Sequence, residues 1–273
     1  TTVGVVGVAP AARVLSVRVT LENGDPLRRE RQPGRSDALA RGIRYAADHG
    51  ADVISMSLGG GSGAWEGSAA EEEAVQYAIG RGAVLVASSG NDGDTTNRRN
   101  FPAAYPGVIA VGAVDRRLKV AAFSNRQDYV SVVAPGTAIV SADGTDSYVV
   151  GDGTSSAAAM VAGVAALIKA VHPDLSPYHV RSAIERGACR RPRGGYSRSY
   201  GHGVVDALRA LREAERLAGS AAAPLVPPPD RSWREPAAQP FSRVAVVLAL
   251  LLLPAVMSAR VIVRHRRRRR STA

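Results

Sequence analysis

Short apolar runs separated by stretches of helical period set the rhythm of this chain. Residues 13–19, 53–57, 84–87, 108–114 and 130–134 read as strands, several of them apolar at every position. Strands buried on both faces have that character, so a parallel sheet covered by helices is expected. Residues 37–49, 70–80, 156–171 and 177–186 carry the helical spacing. Strands alternating with helices predict an α/β fold, a doubly wound and mostly parallel sheet with its site at the carboxyl ends of the strands. Residues 22–34 read as a charged surface loop and 92–100 as a polar one. No internal repeat is evident.

The pattern changes near residue 216. Residues 222–240 mix many prolines with alanines and charges, which makes a semi-extended spacer rather than a packed element. A long apolar run follows from Val244 and continues past Arg260 to Val263. About twenty residues at 1.5 Å rise span roughly 30 Å, one bilayer core. Arg260 is close enough to the end to snorkel, and Arg264 to Arg270 then mark the cytoplasmic side. The expected organisation is a globular part over 1–215, a linker over 216–242, a transmembrane helix over 243–263 and a basic tail over 264–273. That predicts a single-pass protein of the cell membrane with its globular part outside.

The tail also accounts for the charge. Of the formal +11, seven arginines between Arg260 and Arg270 supply +7 and leave +4 elsewhere. The basic balance therefore reports membrane orientation, and no aromatic-interleaved basic patch supports a nucleic-acid partner. At 273 residues and 45% hydrophobic, with few aromatics, the globular part suits one Val- and Ala-rich domain. The single cysteine, Cys189, lies in a basic loop. A disulfide partner outside this sequence and an inert thiol are both open readings.

Candidate chemistry begins at Gly153-Thr154-Ser155, which leads directly into the apolar helix of residues 156–171. Ser155 at a helix N-terminus is either an ordinary cap or a nucleophile. Free backbone N–H groups there would hold an oxyanion formed by its attack on a carbonyl. Upstream, Ser88-Ser89-Gly90-Asn91 follows a buried strand, and the Asn91 amide is either a turn residue or a second oxyanion donor. Ser57-Leu58-Gly59 ends another strand and offers backbone to an extended peptide, or simply turns.

In this order the segments resemble the subtilisin-like serine proteases, the subtilases, through nearly every block from residue 3 to about 210. Gly7-Val8-Ala9-Pro10, Tyr105-Pro106, Phe123-Ser124-Asn125, Ala134-Pro135-Gly136 and the turn from Tyr200 to Ala207 carry the likeness. The resemblance implies that Ser155 is the nucleophile and Asn91 the side-chain oxyanion donor. It implies a substrate cleft edged by Ser57, Leu58 and Gly59 on one side and by Ser88, Ser89 and Gly90 on the other. Ala159 stands where the family usually has proline. Calcium is common in the family, but no ligand cluster in this sequence assigns a site, and no cofactor is expected.

A larger departure is the absence of any Asp-Thr-Gly or His-Gly-Thr-His motif. A serine hydroxyl needs a histidine base, and the histidine needs a carboxylate to fix its tautomer. Subtilases carry both before the Gly-Val-Ala-Pro block. None of His49, His172, His179, His202 and His265 is placed to substitute. The expectation is that Asp and His belong to a preceding part of a longer product, so these 273 residues alone are inactive.

An ectodomain of this kind with a Pro-rich spacer, one C-terminal span and a basic tail is similar to the mycosins, membrane subtilases associated with type VII secretion. That likeness implies an endopeptidase outside the membrane, with protein or peptide substrates and a type VII secretion complex as partner. The alternative it carries is a non-catalytic scaffold subunit of such a complex.

Overall fold

A computed structural model of the protein describes residues 4–20, 37–59, 67–144 and 147–220. The linker expected from residue 216 begins later in the structure, because the last helix runs to Gly219; residues 221–242, the transmembrane helix and the basic tail lie outside the described residues.

Four strands form one parallel sheet in sequential order: β1 (Val53–Met56), β2 (Val84–Ser88), β3 (Ile109–Val114) and β4 (Val130–Pro135). Strand β2 shows why an unbroken apolar run belongs here. Val84 and Val86 enter one core and Leu85 and Ala87 the other, because successive side chains point to opposite faces. Helices α1 (Ala38–Asp48) and α2 (Ala69–Gly80) bury one face of the sheet. Helices α3 (Thr154–Val171), α4 (Pro177–Gly187) and α5 (Ala207–Gly219) cover the other. The sheet is thus wound on both sides.

Local signals fix where the helices begin. Ser68 caps α2 by accepting from the Glu71 N–H, and Ser176 caps α4 by accepting from the His179 N–H, with Pro177 in the first turn. Asp206 does the same for α5 from the Arg209 N–H. Helix α3 is apolar enough to cross a membrane by length and composition. It is instead the core helix of the fold, with Ala157, Ala158, Val161, Ala165 and Ile168 packed against the sheet.

Two differences from the sequence reading bear on the site. Residues 13–19 form no strand: their backbone joins no ladder, although Val17 and Val19 pack on the core beside α1. The apolar pattern is suited to a strand, but a strand needs a hydrogen-bonded neighbour. Among the described residues nothing pairs with the outer edge of β1 either. Val8 lies against Gly163 of α3 and Val19 against Gly42 of α1, so this segment passes from one face of the sheet to the other beside that edge. The second difference is an additional antiparallel hairpin, β5 (Ile139–Asp143) with β6 (Ser147–Gly151), just before the turn into α3.

Candidate active site

Three segments meet where the carboxyl ends of the strands face the start of α3. Strand β1 runs out through Ser57, Leu58 and Gly59, and β2 through Ser88, Ser89 and Gly90 to Asn91. Ser57 Oγ donates to the Ser155 carbonyl at 3.1 Å, and the Gly90 N–H donates to Thr154 Oγ1 at 3.3 Å. These bonds bring both strand ends to the start of the helix that carries Ser155. Ser89 is fully buried and Ser88 nearly so, so neither opens onto a cleft as the sequence reading expects; of this second wall it is Gly90 that is partly exposed.

The turn into α3 depends on close backbone approach. Gly153 donates from its N–H to the Gly136 carbonyl at 2.8 Å. A Cβ at Gly136 would lie 2.6 Å from Ala113 Cβ and 2.8 Å from the Gly153 carbonyl, which only glycine avoids. Gly153 then caps α3, and Ser155 is its second residue. The first N–H groups of such a helix have no intrahelical partner, and the dipole favours negative charge there.

The Asn91 amide has a defined direction. Its Oδ1 accepts from the Thr154 backbone N–H at 2.9 Å and from Thr154 Oγ1 at 2.8 Å. A backbone N–H can only donate, so the oxygen must face Thr154 and the NH₂ must point elsewhere. A Cβ built on Gly153 would stand 3.6 Å from the Ser155 nitrogen and 3.7 Å from Asn91 Nδ2. The space in front of Gly153 is therefore bordered by two N–H donors beside the Ser155 side chain. Two such donors, fixed before any charge develops, can hold an oxyanion in that space.

The loop after Asn91 is held as firmly. Asn125 is fully buried; its Oδ1 accepts from the Asp92 N–H at 2.8 Å and its Nδ2 donates to the Arg98 carbonyl at 2.8 Å. Its own N–H donates to the Gly90 carbonyl at 3.1 Å. Gly90 has φ +113° and faces this carboxamide so closely that a Cβ would fall 2.3 Å from Asn125 Nδ2. Burial pushes the Asp92 carboxyl up, but hydrogen bonds from Thr96, the Arg98 N–H and Asn125 outweigh it and hold the group below the usual carboxylate range.

Comparison with known proteins decides what this site belongs to. Residues 1–203 match the family described as the Subtilase family of peptidases. The chain belongs to the subtilases. It is 39% identical to subtilisin DY of Bacillus licheniformis over 213 residues, which cover 77% of this chain and 72% of that protein. It is 39% identical to thermitase of Thermoactinomyces vulgaris over 209 residues, covering 77% and 68%. Among solved structures it is similar to MycP1, described as a serine protease and an essential component of the type VII (ESX-1) secretion system. There the identity is 31% and the TM-score 0.57, covering 70% of this chain and 62% of that one. The subtilase family is one of serine proteases, and the structure brings Ser155, Asn91 and the two strand ends to one place.

A subtilase also needs a base beside its serine. His49 stacks on Tyr45 and bonds to its carbonyl at 2.8 Å. His172 follows the last residue of α3, at the far end of the helix that Ser155 opens. His179 bonds to Ser176 Oγ at 2.7 Å, and His202 lies 3.6 Å from Glu185 and edge-on to Tyr196. His265 lies outside the described residues. Among the described residues, no group of three or more His, Cys, Asp or Glu is placed to hold a metal ion. Cys189 is an unpaired thiol whose backbone bridges Val204.

Thr154 and Asn125 stand in motifs legible in the sequence, but nothing in their spacing shows that Thr154 orients the Asn91 amide or that Asn125 holds the flanking loop.

Proposed function

We propose that this chain is the nucleophile-bearing part of a membrane-anchored serine endopeptidase of the mycosin type. Peptide bonds are cleaved outside the membrane by attack of Ser155 Oγ on the carbonyl carbon. The carbonyl oxygen becomes an oxyanion held by the Ser155 N–H and Asn91 Nδ2, and collapse releases the amine and leaves an acyl-enzyme on Ser155. Water then hydrolyses that ester. The observation that carries the reading is Thr154 fixing the Asn91 amide, because it dedicates an NH₂ group to the space beside Ser155.

The base and its orienting carboxylate come from chain outside the described residues. Among the described residues nothing pairs with the outer edge of β1, and this supports the reading, since a further parallel strand fits there. The apolar run at 244–263 and the arginines after it support a single span with the C-terminus in the cytoplasm. A cytoplasm-only reporter fused after Ala273 is then active, and activity of an exterior-only reporter there would reverse the topology. The likeness to MycP1 supports a role beside a type VII secretion complex with protein substrates.

One observation favours a second reading, a non-catalytic scaffold in the same membrane complex: no described histidine stands by Ser155. Peptide turnover by the protein purified from its native membrane separates the two. The protease reading expects turnover that is lost in Ser155→Ala and kept in His202→Ala; equal rates in wild type and Ser155→Ala would leave the scaffold.

A further inference from the structure

Two basic loops meet beside the last strand of the parallel sheet. Arg116, Arg117 and Lys119 follow β3, and Arg190, Arg191, Arg193 and Arg198 follow α4; all are exposed. Leu118 and Tyr200 join the loops. Both pack on the cluster of Val114, Val130, Val133 and Val204, and the Tyr200 hydroxyl donates to the Leu118 carbonyl at 3.3 Å. The frame beneath the charges is fixed. Cys189 and Val204 exchange N–H···O bonds of 2.8 Å, and the His202 and Val205 N–H groups donate to the Ser131 and Val133 carbonyls of β4 at 2.8 Å. The Tyr196 hydroxyl donates to the Asp128 carbonyl at 2.7 Å and holds the middle of the second loop.

The protein does not neutralise this edge itself. Between Glu185 and Asp206 the sequence has no acidic residue. Those two carboxylates are engaged, Glu185 with Arg181 at 2.7 Å and Asp206 with Arg209 at 3.4 Å. In the first loop Asp115 Oδ1 accepts from the N–H groups of Arg117 and Lys119 at 2.8 and 2.9 Å. Among the described residues no ion pair reaches these loop cations, whereas Arg44, Arg99 and Arg216 each face a carboxylate.

Like charges held together on a rigid frame repel one another, so the arrangement suits a polyanionic surface that brings counter-charge. All but Lys119 are arginines, whose planar forks pair with phosphate through two parallel hydrogen bonds. The rest of the chain says where that phosphate is. Helix α5 starts directly after the second loop and ends at Gly219, and residues 221–242 then precede the apolar run. Even fully extended, a spacer of that length reaches no more than about 80 Å. A chain anchored by the apolar run therefore keeps this edge at high effective concentration over its own bilayer.

We propose that this edge docks on anionic phospholipid headgroups of the leaflet that the globular part faces. The inference rests on the membrane anchoring proposed above and goes beyond it. The span tethers the globular part, and the two loops set which side of it lies on the lipid.

The test reads how close the second loop comes to lipid. Gly194 is exposed and a Cβ there meets no atom within 4 Å, so a fluorophore on Gly194→Cys, in a Cys189→Ser background, has room on the surface. The full-length protein is placed in nanodiscs of phosphatidylcholine, alone or with about 30% phosphatidylglycerol, carrying a headgroup-linked quencher. Quenching should rise about twofold or more with phosphatidylglycerol, and about 0.5 M salt should abolish the rise. Arg190→Gln, Arg193→Gln and Arg198→Gln together should abolish it too, in a protein that melts as wild type does. Equal quenching in both lipids overturns the inference and leaves the edge to an acidic protein surface; a rise that survives the three substitutions also overturns it. Failure to enter nanodiscs refutes the anchoring separately, and co-sedimentation with vesicles of the same two compositions then decides the edge. Each arginine near an anionic surface contributes about fivefold, so binding that needs phosphatidylglycerol and weakens about tenfold or more in the triple variant supports the inference. Binding that is absent, or equal in the variant, overturns it.

Discussion

A single methyl group at Gly153 tests the oxyanion site without disturbing its supports. The added Cβ would meet the Ser155 nitrogen at 3.6 Å, Asn91 Nδ2 at 3.7 Å and Ser155 Cβ at 3.9 Å, all ordinary contact distances. Gly153 is extended, with φ 165° and ψ 150°, so alanine fits its backbone, and its N–H still reaches Gly136. The structural cost is that of a poorer helix cap, about 1 kcal/mol, or ~2–4 °C in Tm for a domain of this size. The functional cost is far larger, because the methyl occupies the space that the two N–H donors border. Losing one such donor lowers kcat by about 10²–10³, and the methyl displaces the oxyanion from both. Gly153→Ala should therefore lose at least about 10²-fold in kcat/KM while melting within a few degrees of wild type. The assays are peptide turnover and calorimetry on the full-length protein. Activity within threefold of wild type would refute the placement of the oxyanion in front of Gly153.

Three further outcomes follow from the same geometry. Asn91→Ala should lower kcat by about 10²–10³, a magnitude measured for the matching donor of subtilisin, a relative of this chain, and Thr154→Val should cost less, about tenfold, because the Thr154 N–H still orients the amide; kinetics that rank the two the other way would contradict it. The Asp92 carboxyl is held below its ordinary value in the folded state, so its stabilising contribution is present above the unfolded value of about 3.9 and is lost as pH falls through the folded one. Melting curves from pH 6 to 2 should thus show a fall that is shallower in Asp92→Asn, and parallel curves would remove Asp92 from the account. Residues 1–220 alone, in which no described segment pairs with the outer edge of β1, should melt at low temperature without a sharp transition by circular dichroism and turn over no peptide; a cooperative, high-temperature melt with turnover above background would reverse both halves.

The covered interior of the sheet was legible in the sequence. Val84, Leu85, Val86 and Ala87 are apolar at every position because both faces of β2 are covered, and that run alone argues for a parallel sheet. Residues 13–19 carry an equally good strand pattern and form none, because pattern reports what a segment suits and not whether a partner strand stands beside it. The hairpin of β5 and β6 had a signal: Asp143-Gly144 between apolar runs is a turn dipeptide, and it passed unread beside the stronger motif at Ser155. At the site, the residues that the fold brings together were legible by type and order, whereas their supports were not. Asn100 and Asn125 sit in segments that read as polar loop and short motif, yet both are buried and hold their neighbours through carbonyl and N–H groups. Such bonds depend on which backbone atoms the fold brings within 3 Å, and no spacing along the chain encodes that.

The central claim is that Ser155 is a nucleophile activated in the assembled protein. The most direct measurement is labelling of the full-length protein with a fluorophosphonate probe, followed by peptide mass mapping. The account predicts one adduct, on Ser155, absent in Ser155→Ala and slowed by about 10² or more in Gly153→Ala. Labelling of similar extent in wild type and Ser155→Ala, or an adduct mapped to another serine, would contradict it.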